Sequence, residues 1–530
     1  MGWEETKRAR QLLSREQGTV FKDWGGRIPI ALIYPNSYYV GMSNLGFHTI
    51  YGLLNSYDNV VCERVFYHGG TEKPFSLESQ RPLRDFALLA FSITYELDYF
   101  NAVQMLKAGG IPLLSAERDE RYPLVIAGGP CITANPQPLS PIFDCLAIGE
   151  GEAILPPMLQ VLAEEIYSSR DNLLQALTSV PGAYVPRCYR GAPVVRQWAG
   201  GLDRFATTSV VLTPNTELGK LYLMEIARGC GWGCRFCLAS YAFRPVRFRS
   251  VDRLLAQARV GLKYRRRLGL VGAGESDHPQ IEELVIRLRE MGADFSLSSL
   301  RVKPLSCIVL RELAQSGAKT VTLAPEVGSE RLQQVIRKGI TEDDVFEAVE
   351  MVAEQGFQQL KLYFMIGLPT ETEEDILGIV RLTQACRERI QRRRSATRIT
   401  LNIAPFVPKA GTPFQWLAMA PPDVLSHRLS LLRSNLSGKG IKIKSESAAW
   451  SQVQGVLARG DAGVASVLAR MEGNSLSAWR RAVKDCQLDV DFYAHREWAP
   501  GDSLPWEMID LGTSPGYLEL EMARAQGHSL

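Results

Sequence analysis

Three cysteines within eight residues are the closest group of reactive side chains in this sequence. Cys230, Cys234 and Cys237 have the spacing C-x3-C-x2-C inside the segment EIARGCGWGCRFCLASYAF. Thiols this close together can form a disulfide, bind zinc or hold an iron–sulfur cluster. The rest of the chain must decide between these three.

The available ligands favour an iron–sulfur cluster. A structural zinc ion takes four ligands, and the sequence has neither a second C-x2-C pair nor a histidine within thirty residues of Cys237. A disulfide would leave one thiol over, and ten cysteines without an export signal predict a reducing cytoplasm. Three thiolates on a 4Fe–4S cluster leave one iron open to a substrate or cofactor. Trp232 and Phe236 would shield the cluster, and Gly231 and Gly233 would let the backbone wrap around it.

Length and composition indicate a soluble protein of several domains. The chain has 530 residues, of which 46% are hydrophobic and 22% charged, and its net charge is +3. This length predicts roughly two to four domains, and the small net charge gives no general signal for nucleic acid. No apolar run reaches the roughly 18 residues of a membrane span. The basic runs at 264–269 and 387–398 are interpreted as solvated helix faces or ends, although a nucleic-acid partner is not excluded.

The apolar pattern predicts an α/β fold in consecutive regions. Residues 1–170 alternate short apolar runs with helical periods, which indicates a Rossmann-like domain with a parallel sheet. Residues 171–217 are interpreted as a linker. Six strand–helix repeats over 218–414 predict a partial (β/α)6 barrel, and 415–530 is predicted to be mostly helical. The cysteine loop directly follows the first barrel strand, and such barrels carry their chemistry at the carboxyl ends of their strands.

This cysteine motif, placed after the first barrel strand, resembles that of the radical SAM superfamily. Motifs at later strand ends extend the resemblance over about 218–410. GAGE at 272–275 is similar to the superfamily's glycine–glutamate motif, which implies that Gly274 and Glu275 receive the methionine amino group of S-adenosylmethionine. FVPKAGTPFQW at 406–416 resembles the sixth-strand end of the cobalamin-type and methylthiotransferase branches.

Two further motifs imply contacts to the rest of S-adenosylmethionine. APEVGSERL at 324–332 resembles a fourth-strand segment that binds ribose or the methionine carboxylate, and YFMIGLPTETEED at 363–375 resembles the fifth-strand segment whose backbone contacts adenine. Thr372 and Asp375 also have the spacing of a helix capping box. The resemblance therefore implies these further cofactor-binding residues: Phe236, Glu326, Ser329, Arg331, Ile366, Gly367 and Pro369.

The resemblance also implies a reaction. A radical SAM enzyme chelates S-adenosylmethionine at the open iron of its 4Fe–4S cluster and cleaves it reductively. The resulting 5′-deoxyadenosyl radical abstracts a hydrogen atom from a substrate, which the sequence does not identify. The implied partner is a reductant such as flavodoxin or ferredoxin. The alternatives are a methylthiotransferase-like modification of RNA or protein, and a non-catalytic iron–sulfur redox protein.

The first region resembles the cobalamin-binding domains that precede many radical SAM barrels, and the whole arrangement resembles a bacterial radical SAM family of that kind. AGGPCITANPQPLSPIFDCLAIGEGE at 127–152 carries this likeness, and it implies that Gly128 and Gly129 let the backbone approach a corrin. Bound cobalamin would permit C-methylation of the substrate, whereas a domain that has lost cobalamin would only frame it. Both interpretations stay open.

Two departures from related patterns bear on these alternatives. Domains that ligate cobalt through histidine carry D-x-H-x-x-G, and here Asn36 and Tyr38 stand in the aspartate and histidine positions. His48, on the following helix, is expected to be a packed core residue. Methylthiotransferases carry three further cysteines for a second cluster. The only candidates for these in the first region are Cys62, Cys131 and Cys145.

Overall fold

The computed structural model describes residues 3–70, 72–438 and 440–527. Packing divides the chain into two units that are interleaved in sequence. The first unit contains the chain up to Lys220 together with 456–490 and 503–512, and the second contains 221–455, 491–502 and the chain from Thr513 onward. Residues 171–217, predicted as a linker, thus lie in the first unit. Residues 415–530, predicted as one helical region, are shared between the two.

The elements before residue 220 follow the predicted alternation. The helices are α1 Trp3–Leu13, α2 Tyr38–Gly41, α3 Leu45–Asn55, α4 Asp98–Ala108, α5 Pro130–Ala134, α6 Gly151–Glu165 and α7 Arg170–Leu177. The strands are β1 Ile28–Tyr34, β2 Val60–Phe66, β3 Leu88–Ser92, β4 Leu124–Gly128, β5 Cys145–Ala147, β6 Ala183–Tyr184 and β7 Val194–Val195.

The sheet of the first unit confirms the Rossmann-like prediction. Its strand order is β2-β1-β3-β4-β5-β6, and all pairs are parallel except the one between β5 and β6. β1 and β2 are buried over their full lengths, as strands covered by helices on both faces must be. The strand order reverses between β1 and β3. In such sheets ligands bind beyond the carboxyl ends of the strands at this reversal.

The second unit contains the barrel elements. Its strands are β8 Leu221–Glu225, β9 Ala227–Arg228, β10 Arg247–Phe248, β11 Arg267–Val271, β12 Asp294–Leu297, β13 Thr320–Glu326, β14 Gln359–Ile366, β15 Arg398–Pro405 and β16 Lys442–Ser445. The helices that begin between residues 221 and 455 are α8 Ala239–Ala242, α9 Val251–Gly261, α10 Ile281–Glu290, α11 Cys307–Gln315, α12 Glu330–Ile336, α13 Glu342–Glu354, α14 Glu373–Arg392, α15 Pro422–Leu436 and α16 Ala448–Arg459, whose residues from 456 onward are assigned to the first unit.

The barrel is an open row of parallel strands in chain order. One sheet pairs β8, β11 and β12, another pairs β13, β14, β15 and β16, and a bridge between Leu300 and Leu323 joins them. The six predicted strands are all present. β16 is a seventh that the sequence analysis did not predict, because its lysines interrupt the apolar run that marks the others. Among the described residues no pairing closes the row between β8 and β16.

The remaining elements are α17 Val464–Arg470, α18 Leu476–Asp485, α19 Val490–Ala494, β17 Ile509–Asp510 and α20 Pro515–Ala525. α17 and α18 belong to the first unit, where Trp479 packs edge-on against Phe100 at 5.7 Å. β17 pairs with β7 in the same unit. No helix in the described ranges combines the length and the apolar character needed to cross a membrane.

Candidate functional site

The cysteine loop lies where the sequence predicted, between β9 and α8 at the carboxyl end of the first barrel strand. Cys230 and Cys234 are buried and Cys237 is partly buried. The Cys237 N–H donates to the Cys234 carbonyl at 3.1 Å, which folds the segment back on itself. Gly229 has φ +81°, and a Cβ there would lie 2.2 Å from the Phe243 carbonyl oxygen. The tight entry into the loop therefore requires glycine.

The three thiols are free and therefore available as cluster ligands. All ten cysteines are free thiols. No three His, Cys, Asp or Glu side chains among the described residues converge on one metal position. A 4Fe–4S cluster does not require such convergence, because each cysteine binds a different iron. Burial raises the pKa of Cys234 to about 11, while the nearby Lys338 and Arg301 act in the opposite direction and favour the thiolate that iron needs.

Trp232 makes a hydrogen bond and a cation–π contact that were not predicted from the sequence. Its indole Nε1–H donates to Asp277 at 2.8 Å, and the Arg301 guanidinium lies 3.8 Å from its ring centroid. Trp232 is 39% exposed, so it borders the loop instead of sealing it. Phe236, the other predicted shield, is partly buried. Asp277 and Arg301 lie outside any recognised motif, so only the fold reveals them.

Glu275 is buried after β11, and its carboxylate is held by the end of β12. It accepts from the Ser298 hydroxyl at 2.5 Å and from the backbone N–H groups of Ser298 and Ser299 at 3.2 and 3.3 Å. Burial raises its pKa to about 7, although these donors act in the opposite direction. A Cβ on Gly274 would lie 2.4 Å from the Asp277 carboxylate, a side-chain atom that can move. The predicted contact of Gly274 and Glu275 with a methionine amino group stays a prediction.

Glu326 lies close to the cysteine loop. It ends β13 with a left-handed φ of +70°, at a point where the register with β14 shifts. Lys338 donates to its carboxylate at 2.9 Å, and the charge of Glu326 acts on Cys237 while that of Lys338 acts on Cys234. Strained backbone of this kind clusters at functional sites. The ion pair of Glu326 and Lys338 therefore belongs to the surroundings of the three thiols.

Ser329 and Arg331 both contact the carboxylate of Asp375, not Glu326. The Ser329 hydroxyl donates to Asp375 at 2.6 Å, and the Arg331 guanidinium pairs with the same carboxylate and with the Thr370 carbonyl. Asp375 also accepts from the Thr372 N–H at 2.8 Å, which confirms the predicted capping box of α14. Both predicted ligands thus tie α12 to the start of α14. Glu326 has a separate partner, Lys338.

The predicted adenine segment after β14 uses two of its own backbone groups for the fold. The Gly367 N–H donates to Glu371 at 2.8 Å, and the Ile366 carbonyl accepts from the Phe406 N–H at 2.8 Å. Gly367 has φ +80°. Ile366 is fully buried and Pro369 is half-buried. An adenine contact at this segment would need backbone groups other than these two.

The glycines assigned to a corrin are explained in part by packing inside the first unit. A Cβ on Gly129 would lie 2.1 Å from the Ile93 carbonyl oxygen, and one on Gly149 would lie 2.1 Å from the Gln197 carbonyl oxygen. A Cβ on Gly128 would meet only Ala147, at 3.5 Å. Gly129 is therefore required by its own protein backbone, and Gly128 alone is free of such a requirement.

The positions matching a cobalt-binding histidine motif are occupied by a buried polar network. Asn36 donates to Asp98 at 2.8 Å, and the Tyr38 hydroxyl donates to Glu16 at 2.5 Å. Glu16 in turn pairs with the fully buried Arg64. A lower cobalt ligand is therefore not offered at Tyr38, and the residues present do not fit a histidine-ligated cobalamin.

His48 is a core residue, as expected. It is 2% exposed on α3. Its Nε2 lies 3.1 Å from the Met42 carbonyl, and its Nδ1 accepts from the N–H groups of Val210 and Val211 at 3.3 Å. Burial lowers its pKa to about 4. The ring is therefore neutral and fully engaged at physiological pH.

A second cluster held jointly by Cys62, Cys131 and Cys145 is excluded by the sheet. Cys62 lies on β2 and Cys145 on β5, which are four strand spacings apart in the order β2-β1-β3-β4-β5. At about 4.8 Å per spacing the two thiols are separated by roughly 19 Å, too far to share a cluster. The three candidate cysteines of the first region therefore do not form the second site of a methylthiotransferase.

Carboxylates offset the basic runs in part. Arg389 and Arg393 both pair with Glu350 at 2.7 Å, and Arg266 pairs with Asp294 at 3.2 Å. Paired charges at helix and strand ends are typical of a solvated surface. These contacts agree with the interpretation of the runs as helix ends.

Comparison with known proteins agrees with this arrangement. The family model "Radical SAM proteins, N-terminal" matches residues 46–186, and "Radical SAM superfamily" matches 224–383. The uncharacterized protein MJ0966 of Methanocaldococcus jannaschii is 30% identical over 453 residues, covering 83% of this chain and 90% of that protein. The uncharacterized methyltransferase PH0819 of Pyrococcus horikoshii is 25% identical over 273 residues, covering 49% of this chain and 57% of that protein.

Among solved structures, the chain is similar to a radical S-adenosylmethionine methyltransferase, TsrM from Kitasatospora setae, with cobalamin and a [4Fe-4S] cluster bound. The TM-score is 0.50 at 11% identity, with 87% of this chain and 99% of that chain covered. At this identity the similarity shows the fold alone.

Proposed function

This chain belongs to the radical SAM superfamily, and on that premise we propose that it cleaves S-adenosylmethionine reductively at the Cys230–Cys237 loop and abstracts a hydrogen atom from its substrate. The observation that carries the proposal is the set of three free thiols after the first strand of an open parallel barrel, beside the ion pair of Glu326 and Lys338. These cysteines would hold a 4Fe–4S cluster, and such a cluster would supply the electron for reductive cleavage of the carbon–sulfur bond.

The chain's own residues have distinct parts in this proposal. Cys230, Cys234 and Cys237 would hold the cluster, and the burial of Cys230 and Cys234 would limit the access of bulk water. Lys338 and Arg301 place positive charge beside Cys234, which favours thiolates and an added electron. Positions for the methionine and ribose groups of S-adenosylmethionine are proposed at Glu275 and around Glu326.

Enzymes of this superfamily need an electron donor. We propose a flavodoxin or ferredoxin in that role, because both deliver single electrons at low potential. The half-exposed Trp232 borders the cysteine loop and offers an aromatic surface to the donor protein.

A nucleoside product assay tests the proposal. The anaerobic protein is reconstituted with iron and sulfide, mixed with S-adenosylmethionine and dithionite, and analysed for 5′-deoxyadenosine by mass spectrometry. Cys234→Ala should lose the reducible cluster and all deoxyadenosine. Cys307→Ala, which removes an exposed thiol on α11, is the matched control and should retain both. A reducible 4Fe–4S cluster in Cys234→Ala would defeat the ligand assignment.

Methyl transfer is the second candidate, favoured by the similarity of the fold to TsrM, a methyltransferase with cobalamin bound, and by the methyltransferase name of the relative PH0819. The network at Tyr38 supplies no lower ligand, so any cobalamin held there would lack one from that position. Adding hydroxocobalamin to the same assay separates the candidates. S-adenosylhomocysteine formed only with cobalamin would identify a methyltransferase. Deoxyadenosine that does not depend on cobalamin would indicate hydrogen abstraction alone.

A further inference from the structure

One buried carboxylate connects the C-terminal helix to the cysteine loop. Glu521, on α20, is 1% exposed. The Arg235 Nε–H donates to its Oε2 at 3.0 Å, and an Arg337 guanidinium nitrogen lies 3.1 Å from the same oxygen. The Arg524 guanidinium donates to its other oxygen at 2.8 Å. Three cations around one buried carboxylate exceed what anchoring an exposed helix requires, since surface ion pairs contribute little.

Arg235 makes this carboxylate relevant to the thiols, because it directly follows Cys234. Its guanidinium donates to the carbonyls of Gln334 and Val335 at 2.8 and 2.9 Å, and its backbone N–H donates to the Ile336 carbonyl at 3.0 Å. The last carbonyls of an α-helix lack partners within the helix and favour a cation. Arg235 thus docks the cysteine loop onto the end of α12.

The next two residues at this junction have different partners: Arg337 contacts α20, and Lys338 contacts Glu326. Arg337 ends α12 in a left-handed conformation with φ +53°, and it also donates to the Tyr517 hydroxyl at 3.0 Å. Lys338 turns instead toward Glu326, beside the thiols. The cysteine loop, the end of α12 and α20 therefore meet at Glu521.

Glu521 carries a charge at this junction. Burial opposes its ionisation, but Arg524, Arg235 and Arg337 outweigh burial and hold the pKa below its usual value. Removing one partner of a buried ion pair leaves the others without a counterion, which is strongly destabilising. The Arg235 side chain would then keep its two carbonyl acceptors but lose its carboxylate partner.

We propose that Glu521 is a positioning residue for the cluster, acting through Arg235 to fix the segment from Cys234 to Cys237. α20 is then a part of the cluster-binding site, although it lies almost three hundred residues further along the chain. This inference rests on the proposed function, because it presupposes a cluster on the three cysteines.

The test compares the full-length reconstituted protein with Glu521→Gln and with Glu519→Gln, a change on the same helix that leaves the junction intact. The readouts are iron and sulfide per chain, the rate of cluster loss to EDTA without oxygen, and the EPR spectrum of the dithionite-reduced cluster. We expect Glu521→Gln to lose its cluster about tenfold faster and to shift the EPR g values. Glu519→Gln should match the unsubstituted protein.

A double-substitution cycle separates positioning from general stability. In an Arg235→Met background, Glu521→Gln should have no further effect on cluster loss, because its route to the loop is already cut. If Glu521→Gln does not fold, Arg235→Lys is tested instead. Lysine keeps the positive charge but lacks the several N–H donors of the guanidinium group, so this variant should also shift the EPR g values.

The outcomes distinguish this inference from the function on which it rests. A wild-type protein that assembles no 4Fe–4S cluster would refute the proposed function. Assembled wild-type protein with an unchanged cluster in folded Glu521→Gln would overturn the role of Glu521 alone. Equal effects of Glu521→Gln with and without Arg235 would reduce it to a structural anchor for α20.

Discussion

The space where a Cβ would lie is occupied at Gly129 and Gly149 in the first unit but open at Gly231 in the second unit. In the first unit a Cβ on Gly129 or Gly149 would strike a carbonyl oxygen of the chain itself at 2.1 Å. In the second unit a Cβ on Gly231, between two cysteines, would meet only Val246 at 3.6 Å. Where the chain's own backbone occupies the space beside a glycine, that glycine gives no information about a ligand. Where the space beside a glycine is open and reactive groups lie next to it, that glycine does indicate a ligand.

The first test of this comparison is the substitution Gly129→Ala. Gly129 has φ +126° and ψ 174°, a region open almost only to glycine, and the new methyl would overlap the Ile93 carbonyl. We expect a loss of roughly 4 kcal/mol in the unfolding free energy. Gly128→Ala, the adjacent control, should lose less than about 1 kcal/mol. Urea unfolding followed by circular dichroism measures both, and equal effects would contradict the assignment.

The second prediction concerns pH and the first unit only. His48 has a folded pKa of about 4, below the ordinary 6.5, so the unfolded chain binds more protons between these values. Stability should therefore be complete above pH 6.5 and fall as the pH drops toward 4, by about 3 kcal/mol. His48→Gln cannot titrate, and its unfolding free energy should lose this dependence. The comparison is made by urea titrations at pH 7.0 and 4.5; parallel curves for both proteins would refute it.

The smallest effect on stability is expected for Gly231→Ala. The free space beside Gly231 predicts a change below about 1 kcal/mol in unfolding. If a cluster occupies that space, iron retention after reconstitution should fall by several-fold while the fold is kept. Stability and iron content measured on the same preparation sharpen the contrast with Gly129. Full iron retention in Gly231→Ala would place the cluster elsewhere.

The sequence allowed prediction of the elements that are marked by apolar runs. β1, β2 and the six barrel strands are apolar runs with helical periods between them, and all appear where expected. β16 was not predicted from the sequence, because its residues alternate between exposed and half-buried and include Lys442 and Lys444. β12 is shorter than its apolar pattern, since Ser298 and Ser299 turn to the Glu275 carboxylate.

The site was predictable only where spacing is local. The C-x3-C-x2-C motif identifies the three thiols, because loop ligands must be close in sequence. Lys338, Asp277 and Glu521 belong to the surroundings through tertiary contacts, and no periodicity in the chain indicates them. Ser329 and Arg331 were assigned to a ligand, but a carboxylate of the fold, Asp375, engages both.

The interleaving of the two units has a consequence for how the protein is made. The ribosome delivers the sheet of the first unit early, but the segments 456–490 and 503–512 that complete this unit emerge only after the 235 residues from 221 to 455. Neither unit can be obtained by cutting the chain once. A nascent first unit therefore remains incomplete while the barrel is synthesised, and the surface that these segments cover stays exposed until they emerge.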